Sequence, residues 1–200
     1  MKTINAETAP IPRLINAAHC LASTEQPLNL VSAPFSNGKQ RIDAKVANQL
    51  RLLVESIGGQ KQIIVTSGYR SFSEQQILYT DSLERNGSLY TEKYIARPGC
   101  SEHQTGLAVD LGFADTENDA ICPSFEGRVI SQKLLAVMAL YGFILRYPKG
   151  KEAVTGIAYE PWHFRYVGRP HSDIICRNNW TLEEYHECLR QRGTANDKET

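Results

Sequence analysis

Apolar positions between residues 43 and 57 recur at helical spacing. Val46, Leu50, Leu53, Val54 and Ile57 share one face, Asp43 can cap the start, and Gly58-Gly59 can stop the end. The run Ile63-Ile64-Val65-Thr66 is β-branched and predicts a buried strand. Ser71-Phe72-Ser73-Glu74 resembles a capping box, which predicts a second helix over 73–85 with its exit at Gly87. Gly106 punctuates, and 107–112 reads as a strand whose alternation sets Val109 and Leu111 on one face, Ala108 and Asp110 on the other. The polar stretch 114–127 is the longest loop expected. Leu134, Leu135, Val137, Met138 and Tyr141 build a third helix over 131–141, closed by Gly142. Strands are expected at 143–147, 157–159 and 163–167. Thr181-Leu182-Glu183-Glu184 is a capping box for a last helix reaching Arg192.

Helices early and late, with strands clustered between them, predict an α+β fold: a central antiparallel sheet flanked by helices. Residues 1–30, with Pro10, Pro12 and Pro27, read as an extended arm with one short helix near 14–20. The main domain is expected over 31–192 and a flexible polar tail over 193–200. Two hundred residues suit one domain.

Composition narrows the function classes. The formal net charge is zero and no basic run alternates with aromatics, which argues against nucleic acid or an anionic membrane as partner. No stretch reaches transmembrane length and the first residues lack the apolar core of a signal peptide, so a cytoplasmic location is expected. The five cysteines are odd in number and form no CxxC, which favours reduced thiols over a disulfide framework.

The chemistry concentrates in Ser101-Glu102-His103-Gln104-Thr105-Gly106-Leu107-Ala108-Val109-Asp110 and Glu160-Pro161-Trp162-His163. Two imidazoles, a carboxylate and a spare glutamate make the inventory of a catalytic zinc site: three protein ligands, one open position, and a base. An isolated aspartate on a buried strand is costly unless paired or metal-bound. Pro161 between Glu160 and His163 excludes the helical HExxH arrangement and leaves Glu160 at the mouth of a strand. Arg70, in Ser67-Gly68-Tyr69-Arg70-Ser71 between a strand and a helix N-terminus, can face an anion or a polarised carbonyl. Taken singly, each of these side chains also fits a satisfied polar role. Cys100 can be read as an inert thiol, as half of a CxxH metal pair, or as a nucleophile. Tyr69 and Trp162 either wall a pocket or pack in the core.

These motifs, with Ala33-Pro34-Phe35, Tyr141-Gly142-Phe143-Ile144-Leu145-Arg146-Tyr147-Pro148 and Tyr159–Gly168, resemble the zinc D,D-peptidases of the LAS (lysostaphin, D-Ala-D-Ala metallopeptidase, sonic hedgehog) group. The resemblance is to the VanY-like carboxypeptidases, and among these to the VanXY type. It implies a LAS/hedgehog-like fold, one zinc ion on His103, Asp110 and His163, Glu160 as general base, and Arg70 as carbonyl stabiliser. It further implies Gln75 and Ser101 near the substrate's terminal carboxylate. The implied reaction is hydrolysis of D-Ala-D-Ala, as the dipeptide or at the end of peptidoglycan pentapeptide precursors, in support of vancomycin resistance. The same zinc chemistry would serve an endolysin cleaving L-Ala-D-Glu, and a related architecture serves non-catalytic zinc binding modules.

Overall fold

The computed structural model describes residues 9–196, so parts of the N-terminal arm and of the tail lie outside the described residues. A short hairpin opens the domain: β1 (Leu30–Ser32) pairs antiparallel with β2 (Arg41–Asp43). Asp43 then caps α1 (Ala44–Ser56), its carboxylate accepting the Lys45 N–H at 2.8 Å. The expected apolar stripe is the buried one, with Val46, Leu50, Leu53 and Val54 facing inward. After β3 (Ile63–Ser67), Ser71 and Glu74 cap one another's backbone and start α2 (Phe72–Tyr94). Gly87 breaks the helical conformation at φ 78°, but the chain resumes the helix as far as Tyr94. The glycine expected to end the element is a kink within it. The Ser82 and Thr91 hydroxyls, 2.8 Å apart, tie its two halves together.

The main sheet has the order β3-β4-β6-β5, with β4 (Ala108–Phe113), β5 (Phe143–Leu145) and β6 (His163–Tyr166), and every pairing antiparallel. The segment between β4 and α3 (Val129–Val137) carries no helix or strand, as expected of 114–127. A 3₁₀ turn, Met138–Tyr141, continues α3 to Gly142. The strand expected at 157–159 does not form. Its Ala158 N–H donates to Lys93 O and the next amide but one, Glu160, donates to Tyr147 O, so the segment is held by α2 and the β5 exit instead of a sheet edge. Further helices are α4 (Glu152–Thr155), α5 (His171–Arg177) and α6 (Leu182–Asn196). The Thr181/Glu184 box starts α6, which runs past the expected end at Arg192. No helix forms at 14–20; Asn16 and His19 close a turn there.

The two faces of the sheet differ in kind. Val109, Leu111 and Phe164 point into an apolar core shared with α1, α3 and Phe125. The register sets Asp110 opposite His163 and Ala108 opposite Arg165. Because side chains alternate along a strand, Asp110, His163 and Arg165 share the other face. That face carries buried polar and charged side chains.

The thiol expectation is corrected at one pair. Cys20 and Cys100, 80 residues apart, form a disulfide, while Cys122, Cys176 and Cys188 are free. The Leu21 N–H donates to Gly99 O at 2.8 Å and lays the two segments side by side. Cysteine spacing carries no information about such a long-range contact.

Candidate metal centre and active site

His103 sits in a 3₁₀ turn, Glu102–Thr105, that ends at Gly106 in the left-handed region at φ 69°. A Cβ there would come within 3.0 Å of Leu30, so the turn that returns the chain toward Asp110 needs glycine. His163 enters β6 from a tight turn in which its N–H donates to Glu160 O at 3.3 Å. Pro161 occupies the second position of that turn, where its fixed φ belongs. Pro161 lies two residues before the strand, and the turn holds Glu160 at the strand mouth.

His103 Nε2 lies 3.2 Å from Asp110 Oδ2, and His163 Nδ1 lies 3.1 Å from Asp110 Oδ1. One ligand atom from each residue falls within 4.8 Å of the others, and all three side chains are buried. Asp110 Oδ1 has no hydrogen-bond partner among the described residues. A buried, orphaned carboxylate oxygen between two imidazoles fits a cation. His103 Nδ1 is 2.6 Å from Gly68 O, an acceptor that places the ring proton on Nδ1 and the lone pair on Nε2, toward Asp110.

The electrostatics carry the same message. Burial works to raise the Asp110 pKa, but His103 and His163 draw it well below the usual carboxylate range. Burial works against a charged His163, yet Asp110 and Glu102 lift it to about 9. These two shifts are one interaction: without a metal, a proton on His163 stands where the cation belongs. Glu160, with Oε2 3.6 Å from His163 Nδ1, is pushed up to about 8, first by burial and then by Asp110, against the pull of His163 and Arg70.

Arg70 lines the same small pocket. Its Nη1 donates to Gln75 Oε1 at 2.8 Å and its Nη2 to Ser67 Oγ at 2.9 Å. Gln75 is buried, and its Nε2 donates to Ala96 O at 2.6 Å, so both ends of its amide are engaged in bracing Arg70. Ser101 lines the pocket too, and its hydroxyl makes no hydrogen bond among the described residues. Trp162 both walls the pocket and packs in the core. Tyr69 does not line the pocket: its backbone N–H is tied to Arg41 O at 2.6 Å, which sets it toward β2. Cys100, bonded to Cys20, is neither nucleophile nor ligand. His171 stands against the Tyr185 hydroxyl at the start of α5, away from the centre.

A family model described as VanY, D-alanyl-D-alanine carboxypeptidase, matches residues 39–169. The chain belongs to this family. It is 48% identical over 180 residues to the bifunctional D-Ala-D-Ala dipeptidase and carboxypeptidase VanXYC of Enterococcus gallinarum, covering 90% of this chain and 95% of that one. Among solved structures, the D,D-dipeptidase VanXYg in complex with a D-Ala-D-Ala phosphinate analogue matches with a TM-score of 0.81 and 41% identity, over 87% of this chain and 69% of that one. A mutant of the D,D-pentapeptidase VanY from a VanB-type resistance cassette, in complex with Zn(II), matches with a TM-score of 0.72 and 31% identity, over 86% of this chain and 97% of that one. Fold class and VanY-family membership agree with the expectation drawn from the motifs.

Sequence reasoning missed three residues of this region. Glu102, Arg146 and Arg165 are buried charged side chains behind His163, with both arginines on Glu102 Oε1. The available signal was a charged residue within an apolar strand run, as in Phe143-Ile144-Leu145-Arg146, and an acid immediately before a metal ligand.

Proposed function

We propose that this VanY-family protein hydrolyses D-Ala-D-Ala and removes the terminal D-Ala from peptidoglycan pentapeptide precursors, using one zinc ion held by His103, Asp110 and His163. The observation that carries this reading is the convergence of His103 Nε2, His163 Nδ1 and the Asp110 carboxylate in one pocket with Glu160 and Arg70. Zinc, when bound, polarises a water molecule and the scissile carbonyl. Glu160 takes the proton of the attacking water on its carboxylate and then delivers it to the departing amine of D-alanine. Burial alone would keep Glu160 protonated near neutral pH, and a divalent charge on the adjacent ligands favours its anion, the form a base requires. Arg70 presents its remaining N–H groups to the oxygen on which negative charge develops. Ser101 is assigned to the substrate's terminal carboxylate, and Gln75 acts on the substrate through Arg70. Removal of precursors ending in D-Ala-D-Ala would support glycopeptide resistance.

The test is zinc-dependent release of D-alanine from D-Ala-D-Ala and from the pentapeptide precursor, assayed in parallel with intact peptidoglycan, where no cleavage of L-Ala-D-Glu is expected. Glu160→Ala should keep its zinc and lose about a hundredfold or more of the rate. Undiminished turnover in a zinc-replete Glu160→Ala protein would refute the mechanism.

Among the described residues no helix is long and apolar enough to cross a membrane. We also propose a cytoplasmic location, carried by the resemblance to VanXY-type enzymes. The Cys20–Cys100 disulfide is the observation that weighs against this location, because a reducing cytoplasm keeps thiols free. Alkylation in freshly lysed cells followed by mass spectrometry checks this: a fully oxidised pair argues against the location.

A further inference from the structure

The two histidines of the centre need opposite tautomers. His103 presents Nε2 to Asp110 and gives Nδ1 to Gly68 O. His163 presents Nδ1 to Asp110 and Glu160, so its ring proton belongs on Nε2 once the ring is neutral. Nε2 is buried, and the acceptor it faces is Glu102 Oε2, at 3.5 Å. That distance is at the long limit of a hydrogen bond. Neither atom, however, has another hydrogen-bond partner among the described residues. A buried imidazole N–H and a buried carboxylate oxygen are each costly when unpaired, so two such atoms facing one another are partners.

Glu102 is fixed from behind. Its Oε1 accepts from Arg146 Nε at 2.8 Å and lies 2.8 Å from Arg165 Nη1, and none of the three side chains is exposed. Arg146 in turn forks onto both carboxylate oxygens of Glu183 in α6, at 2.9 and 2.7 Å, and reaches Ile15 O in the N-terminal segment. Arg165 reaches Arg13 O. Two guanidinium groups and two carboxylates sum to zero charge, which lets the cluster lie buried. One oxygen, Glu102 Oε2, is left over, and it points at His163.

We propose that Glu102 is a positioning residue for the metal centre: it accepts the Nε2–H of His163, fixes that ring and its tautomer, and through Arg146 and Arg165 ties the N-terminal segment and α6 to the ligand geometry. This rests on the zinc-site reading above. Outer partners of ligating histidines are worth about 10–100-fold in metal affinity.

The test separates the acceptor from the charge. In Glu102→Met/Arg165→Met the cluster remains neutral, with Arg146 and Glu183 still paired, but the acceptor is gone. Zinc affinity is measured by chelator competition, and the His163 Nε2–H resonance of the zinc-loaded protein is followed by NMR, with near-UV circular dichroism reporting the fold. The double variant should bind zinc about 10–100-fold more weakly and lose protection of the Nε2–H. Glu102→Gln keeps a neutral acceptor oxygen and should restore the protected resonance and most of the affinity. The proposal is overturned if the double variant binds zinc as wild type does with the resonance unchanged, or if Glu102→Gln is as impaired as the double variant. Failure of the wild-type protein to bind zinc would instead overturn the zinc-site reading itself.

Discussion

Replacing Arg70 should separate catalysis from metal binding. The guanidinium has five N–H donors. One is directed at Gln75 Oε1 and one at Ser67 Oγ, and Arg70 lines the pocket, so the remaining donors are available to substrate. Loss of one preorganised donor to a developing oxyanion is worth about 3–4 kcal/mol, or about 10²–10³ in kcat. Arg70→Ala should therefore lower kcat by that factor with a smaller change in KM, the signature of an interaction made in the transition state. It also leaves buried Gln75 Oε1 without its donor, which costs about 1–3 kcal/mol of stability. Zinc content should change little, because Arg70 supplies no ligand and its hydrogen bond to His103 runs from its backbone N–H to the carbonyl at 3.2 Å. Arg70→Lys keeps a charge but cannot brace against Gln75 and Ser67 while also reaching substrate, so it should recover only part of the rate. Gln75→Leu removes one brace and should cost about 1 kcal/mol, or about five- to tenfold in kcat. Steady-state D-alanine release, with zinc measured on the same samples, reads all of these. A kcat for Arg70→Ala within tenfold of wild type, at full zinc occupancy, would refute the assignment.

Two further outcomes are expected. His163 and Glu160 both have folded pKa values above their ordinary ones, about 9 and about 8. Stability gained from a raised pKa is complete below the unfolded value and is lost as pH rises through the folded value. Chelator-treated protein should therefore lose thermal stability between about pH 6.5 and 9, and zinc should abolish most of that slope because it requires neutral His163; a flat or rising melting temperature of the metal-free protein over this window would contradict the electrostatic account. Ala120 and Ile121, from the long loop after β4, line the pocket, so shortening 114–127 or introducing Ile121→Trp should change the ratio of pentapeptide to dipeptide turnover; an unchanged ratio would show that the loop does not select substrate.

Local signals in the chain carry the elements that depend on local physics. The Asp43 cap, the Ser71/Glu74 box and the Gly142 stop all stand where side-chain chemistry predicts them. Strict alternation in β4 assigns Asp110 to one face and Val109 to the other, and the β4–β6 register then sets His163 beside Asp110. What periodicity could not reveal is long-range. β1 and β2 are three residues each, too short to display an alternation. Helix α2 continues past Gly87 because Ser82 and Thr91 bridge the kink, a contact between side chains and not a propensity. The Cys20–Cys100 bond follows from a backbone contact between distant segments. Glu102 and its arginines, spread over residues 102, 146 and 165, become a cluster only when three elements converge.

The two buried glutamates beside His163 show how one residue type is given two tasks. Glu102 and Glu160 are similarly inaccessible, and burial pushes both toward the neutral acid. At Glu102 the guanidinium groups of Arg165 and Arg146 more than offset burial and hold the carboxyl well below its usual range, so it is a permanent anion and a fixed acceptor. Among the described residues Glu160 has no arginine ion pair, so burial outweighs the pull of His163, Arg70 and Arg146, Asp110 adds repulsion, and the carboxyl rises to about 8. A group that must take up and release a proton near neutral pH needs a pKa that its surroundings can move through that range. A group that must hold a metal ligand in place needs the opposite, a charge that does not change. Environments that split two carboxyls in this way mark the proton carrier and the anchor. Exchanging the environments would exchange the roles only if the arginines moved as well, since Arg146 and Arg165 are what hold Glu102 as an anion 3.5 Å from His163.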